Sequence, residues 1–225
     1  MISILLPSRN RPDNIIRLHK SIVDTADNMD DIEIIIAVDD DDSSNDSLLD
    51  NPPQNTTFLI SERKILSEYW NDCYKRSKGN ILMHCGDDII FRSKGWDTAI
   101  KQTFEEYPDR IVFVFGNDGS PHNGNFGTHG FIHRRWAETV GYFVPPYFSS
   151  DYNDTWLNDV AKMIDRHRHI PILTEHMHPD MGKAELDATH RERIDRHQRD
   201  NVGQLYSDKA AEREADANKL RRVMQ

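Results

Sequence analysis

The 225 residues suit one large domain or one domain with an appendage, and an apolar fraction of 37% is enough for a core. A charged fraction of 29% and a formal charge of −10 predict a long exposed part and argue against broad nonspecific binding to nucleic acid. The opening Met1-Ile2-Ser3-Ile4-Leu5-Leu6-Pro7 has no basic segment and is too short for a signal peptide, and no apolar run reaches membrane-spanning length, so a cytoplasmic location without a membrane partner is expected.

Residues 2–6 form a first apolar run, followed by the loop Pro7-Ser8-Arg9-Asn10-Arg11-Pro12. Ile15, Leu18, Ile22, Val23 and Ala26 then recur at helical spacing, with Pro12 where a first helical turn tolerates it. A second strand, 32–38, runs into Asp39-Asp40-Asp41-Asp42 and a polar loop to about residue 56, and 58–60 is a third short strand. Between 64 and 77, Ile65, Leu66, Tyr69, Trp70 and Cys73 trace a helical face that Gly79 is placed to stop. Next comes Asn80-Ile81-Leu82-Met83-His84-Cys85-Gly86-Asp87-Asp88, a buried strand delivering two carboxylates to a sheet rim. The order strand, helix, strand, loop, strand, helix, strand predicts an α/β fold with a mainly parallel sheet, whose carboxyl-end rim is where ligands bind.

Further on, 95–107 reads as a helix with Trp96 in the core, 111–115 as a strand, 116–130 as an irregular loop, 134–140 as a helix stopped by Gly141, and 154–166 as a helix. A last strand, 169–173, leads to Thr174-Glu175-His176-Met177-His178-Pro179. From about 184 the sequence is charged, helix-permissive and poor in large apolar residues, so the expected division is a domain of residues 1–183 with an exposed helical extension or tail, 184–225. Cys73 and Cys85 read as reduced core thiols.

Adjacent carboxylates such as Asp87 and Asp88 repel and lose hydration together, so a hard divalent ion is an obvious compensating ligand, against the blander reading of a solvated turn. His176 and His178 alternate along an extended segment and so share a face, although a chain with 11 histidines also supplies surface pairs. Asp154 has an ordinary alternative job as a helix N-cap. Arg63 and Lys64 open a helix, where a solvated helix end is the ordinary reading. Arg191, Arg193, Arg196 and Arg199 with His190 and His197 could line phosphates, but Glu192, Asp195 and Asp200 interleave with them and favour a salt-bridged helix.

The Pro-Ser-Arg-Asn-Arg loop, the strand ending Val38-Asp39-Asp40 and the strand ending Gly86-Asp87-Asp88 together resemble nucleotide-sugar glycosyltransferases of the GT-A fold, family 2 type, including small phage-encoded relatives. The resemblance covers roughly 1–183. It implies Mn²⁺ or Mg²⁺ held by Asp88, with His176 or His178 as a further ligand, and a donor, most often a UDP-sugar, embraced by Pro7, Arg9, Arg11, Asp39 or Asp40, Arg63, Lys64 and Asp87. It also implies a catalytic base after the Gly141-Tyr142-Phe143 turn. The family's usual Glu-Asp pair is absent there, leaving Asp151 as the favoured base and Asp154 as the second candidate, with inversion at the anomeric carbon expected. The acceptor implied is a hydroxyl, with a hydroxymethylated pyrimidine in DNA as the leading candidate and a phage-encoded enzyme acting in the host cytoplasm. A glycan or small-molecule acceptor, a nucleotidyltransferase and an inactive sugar-nucleotide-binding module are the alternatives.

Overall fold

The computed structural model describes residues 1–121 and 124–224. Residues 122 and 123, within the loop expected over 116–130, lie outside the described residues. The first half alternates as expected: β1 (Ile2–Pro7), α1 (Pro12–Thr25), β2 (Ile32–Asp39), a short α2 (Asp46–Asp50), β3 (Thr56–Ser61), α3 (Leu66–Arg76) and β4 (Ile81–His84). The remainder comprises β5 (Ile89–Phe91), α4 (Trp96–Glu105), β6 (Phe113–Asn117), β7 (Gly130–His133), α5 (Arg134–Val140), α6 (Asn153–Met163), β8 (His167–His176), α7 (Ala188–Arg199), α8 (Val202–Asp208) and α9 (Ala210–Arg221).

The eight described strands lie in the order β3-β2-β1-β4-β7-β6-β8-β5. β1 pairs in parallel with β2 and β4, and β2 with β3, while β7 enters antiparallel between β4 and β6. β7 and β5 are strands that the sequence reading left inside neighbouring segments, because four and three residues are too few to show a period. The last strand is longer than expected and carries His176 at its end, opposite Ile89.

Period-two alternation divides the core between the two faces of the sheet. Ile4, Ile34, Ile36 and Met83 pack with Ile15, Leu18 and Ile22 of α1 and with Trp96. Leu5, Ile35 and Ala37 face the other way, with Trp70 of α3, Trp136, Trp156 and Leu220. Burial on both faces explains why these strands read as unbroken apolar runs. Cys73 and Cys85 are free and buried.

The segment after residue 184 is helical but not an exposed tail. Val202, Ala217 and Leu220 are fully buried in the core beside Trp156. Arg213 lies with its guanidinium 3.8 Å from the Tyr206 ring and 5.3 Å from that of Trp156. Buried Asp216 accepts from Tyr142 Oη and, at 3.2 Å, from Trp156 Nε1. Few large apolar residues are involved because paired polar side chains do part of the packing.

Candidate active site

The carboxyl ends of β1, β2 and β4 open onto a cavity of about 440 Å³, a size suited to a small-molecule ligand. Its floor is the turn after β4. Gly86 is required there by crowding: a Cβ at this position would lie 2.7 Å from Asp88 Oδ1 and 3.3 Å from His129 Cε1. Asp87 and Asp88 are both buried and differ in their partners. Asp87 accepts from Ser8 Oγ at 2.7 Å and from Arg11 Nη1 at 3.1 Å. Burial pushes its carboxyl up, against the opposing charge of Arg11. Burial disfavours the Asp88 carboxylate as well, but His176 Nε2, 3.2 Å from Oδ2, outweighs it and holds Asp88 well below the usual carboxylate range.

Three candidate ligands converge: one carboxylate oxygen of Asp88 and one ring nitrogen each of His129 and His176 lie within 4.8 Å of one another. His129 is buried, neither ring nitrogen makes a hydrogen bond of ordinary geometry among the described residues, and burial followed by the His176 charge lowers its pKa to about 4. A neutral imidazole with orphaned nitrogens fits a metal ligand, since unsatisfied buried polar atoms cost about 1–3 kcal/mol each. One carboxylate and two imidazoles, with the cavity on the open side, suit Mn²⁺ better than Mg²⁺. His129 lies at the end of the irregular loop, and a single histidine ahead of a short apolar run carries no ligand spacing by which sequence could mark it as a metal ligand. His178 lines the same cavity with its ring 4.9 Å from that of His176, but its Nδ1 faces Asp180 at 3.4 Å, and it is not one of the three converging residues.

On the other side of the cavity, Pro7 ends β1 and buried Asp39 ends β2. Asp39 accepts from Arg9, Arg63 and Tyr69 together. Asp39, not Asp40, faces the cavity: Asp40 is exposed and bonds through its backbone to Ser61. Arg63 likewise faces in, whereas Lys64 turns away to pair with Asp72 at 2.7 Å. Adjacent residues at a strand or helix end point apart, so each pair yields one cavity residue.

Asp151 and Asp154 both line the cavity. Asp151 is held on both oxygens, by Arg193 Nη1 at 2.7 Å and His197 Nδ1 at 2.6 Å. Asp154 is not the N-cap of α6. That position belongs to Tyr152, in a left-handed conformation at φ 73°, and Asp154 sits in the first turn with Oδ1 accepting from Thr155 N at 2.7 Å. Its Oδ2 makes no hydrogen bond among the described residues, and burial raises its pKa to about 6. Trp156 is core.

α7 closes the cavity from the C-terminal segment. Arg11 donates from Nε and Nη2 to Asp187 at 2.7 and 2.8 Å, Arg63 pairs with Glu192, and Thr189 Oγ1 donates to the Arg9 carbonyl at 3.0 Å. Thr189, His190, Glu192, Arg193 and Arg196 thereby join the wall. The Arg193, Arg196 and Arg199 side chains pair with Asp151, Glu192 and Asp200. No described helix is long and apolar enough to cross a membrane.

Among solved structures, the chain is similar to the mannosyltransferase PcManGT from Pyrobaculum calidifontis in complex with GDP-Man and Mn²⁺, at a TM-score of 0.61 and 14% identity, over 78% of this chain and 56% of that one. It is also similar to residues 1–349 of S. aureus TarS in complex with UDP-GlcNAc, at a TM-score of 0.58 and 11% identity, over 82% of this chain and 61% of that one. At these identities the likeness is one of fold, and this chain spans little more than half of either structure. No curated protein sequence matches it. The profile of Glycosyl transferase family 2 matches residues 3–149, more than half of the chain. With that match covering the Pro7–Pro12 loop, Asp39 and Gly86-Asp87-Asp88, the chain belongs to glycosyl transferase family 2.

Proposed function

We propose that this protein is a metal-dependent glycosyltransferase that moves a sugar from a nucleoside-diphosphate donor to an acceptor hydroxyl with inversion. The observation that carries this reading is the convergence of Asp88, His129 and His176 on one wall of a cavity whose other wall is built by Arg9, Asp39 and Arg63. Asp88, His129 and His176 would hold Mn²⁺, with Mg²⁺ the less favoured ion, and His178 stands next to them. The bound ion supplies charge compensation for the departing diphosphate. Asp39, Arg9, Arg63 and Pro7 face the nucleoside, and Arg11 orders the Asp87 carboxylate beside it.

Asp154 is the proposed base. Its free Oδ2 takes the proton of the acceptor hydroxyl as the oxygen attacks the anomeric carbon, and the bond from that carbon to the diphosphate breaks with its electron pair leaving on phosphate oxygen. Asp151, the base favoured from sequence, has both oxygens engaged by cations and is assigned to anchoring α7. The cavity wall carries Asp118, Asp151, Asp154, Asp180 and Glu192, and Arg196 and Arg199 are turned to Glu192 and Asp200, which supports a neutral acceptor such as a glycan hydroxyl over a hydroxymethylated pyrimidine in DNA.

Thermal-shift measurements with UDP- and GDP-sugars, with and without Mn²⁺, test the reading on wild type and Asp88→Asn. The expected result is a shift that needs both metal and Asp88. Equal shifts with and without metal, in both proteins, would remove the metal-dependent donor site.

A further inference from the structure

We propose that Arg193 of α7 is a ligand for the donor diphosphate, with Asp151 as the residue that positions it. This rests on the nucleotide-sugar reading above. Five guanidinium groups line the cavity, and four are committed to two or more acceptors. Arg9 pairs with Asp39 and Asp41, Arg11 with Asp87 and Asp187, and Arg63 with Asp39 and Glu192. Arg196 reaches Glu192 at 2.8 Å and the carbonyls of Lys64 and Ser149. Among the described residues Arg193 has one acceptor, Asp151 Oδ1, and its Nε is buried without a partner. Among the described residues three other arginine Nε atoms are similarly orphaned, but Arg17, Arg166 and Arg213 do not line the cavity.

The position fits the ligand. His190 lies one turn before Arg193, on the same face of α7, and its ring is 5.1 Å from that of His178, which is 4.9 Å from that of His176. α7 therefore brings Arg193 to the side of the cavity occupied by the three candidate metal ligands. Asp151 is itself fixed by His197, one turn further along α7, so the carboxylate holds the guanidinium at one corner and leaves the rest of the planar fork for phosphate oxygens. As the bond between anomeric carbon and diphosphate breaks, the electron pair that moves onto phosphate oxygen is met by the Arg193 N–H donors.

Calorimetric titration of the full chain with Mn²⁺ present compares UDP with UMP and GDP with GMP. For the base that wild type binds, Arg193→Gln is expected to weaken the diphosphate about 10- to 100-fold, the range for charge-assisted hydrogen bonds, and to leave the monophosphate within about twofold. Arg193→Lys should fall between, because a point charge replaces a fork. Asp151→Asn, which keeps the shape and removes the charge, should weaken the diphosphate in the same selective way. Diphosphate affinity within about twofold of wild type in Arg193→Gln overturns the inference, as does an equal loss for mono- and diphosphate, which would make the role structural. If wild type binds neither diphosphate, the nucleotide-sugar reading falls, and this inference with it.

Discussion

Replacing Asp154 by Asn should make the protein more stable and nearly inactive. Asn keeps the acceptor that Thr155 N and Oγ1 use and removes only the charge. The rise of the carboxyl pKa from the ordinary 3.8 to about 6, caused first by burial, means that the ionised form is held at a cost. At about 1.4 kcal/mol per pH unit the ceiling is about 3 kcal/mol, and water entering through the cavity, to which Asp154 is partly accessible, reduces this to about 1–2 kcal/mol. Because the folded pKa lies above the unfolded one, wild type loses stability as pH rises from about 4 to about 6, and above that the whole cost is present. Asp154→Asn should therefore melt about 2–8 °C higher than wild type at pH 8, with the difference vanishing near pH 4. Donor turnover, followed as nucleoside diphosphate release, should fall by about 10²–10⁴. In wild type the rate should decline tenfold per pH unit below about 6, and the variant should lack that limb. A variant that retains more than about a tenth of wild-type turnover, or that keeps the acidic limb, would refute the assignment of Asp154 as base.

The other expectations concern the metal ligands, the turn beneath them and the C-terminal helices. His129→Ala should weaken Mn²⁺-dependent donor binding at least about tenfold, whereas His178→Ala should have a smaller effect, both read by titrating Mn²⁺ at fixed nucleotide. Gly86→Ala should lower Mn²⁺ affinity while the cooperative melt persists, because the added methyl meets Asp88 Oδ1 and His129 Cε1 and little else. Leu220→Ala should cost about 2–5 kcal/mol in denaturant unfolding, since Leu220 is fully buried; a cost under about 0.5 kcal/mol would mean that the C-terminal helices are not part of the core.

The fold class was legible in the sequence because its signals are local. The strands from Ile2, Ile32 and Ile81 are buried on both faces, so each shows as an apolar run, and the polar residues closing them mark the carboxyl-end rim. Gly86-Asp87-Asp88 and Asp39 were legible for the same reason: costly carboxylates at strand ends ask for a partner. Which neighbour supplies that partner is a tertiary matter. His129 reaches Asp88 only because β7 inserts antiparallel beside β4, a pairing decided by contacts 46 residues apart in the register His84↔Gly130. Asp151 and Asp154 differ in their partners because α7, about 40 residues later, places Arg193 and His197 on Asp151 and neither on Asp154. The C-terminal segment reads in sequence as an exposed helical extension or tail because its burial depends on Arg213 over two aromatic rings and Asp216 beneath Tyr142 and Trp156. Hydropathy counts such residues as solvent-seeking, and only their partners, distant in sequence, make them part of the interior.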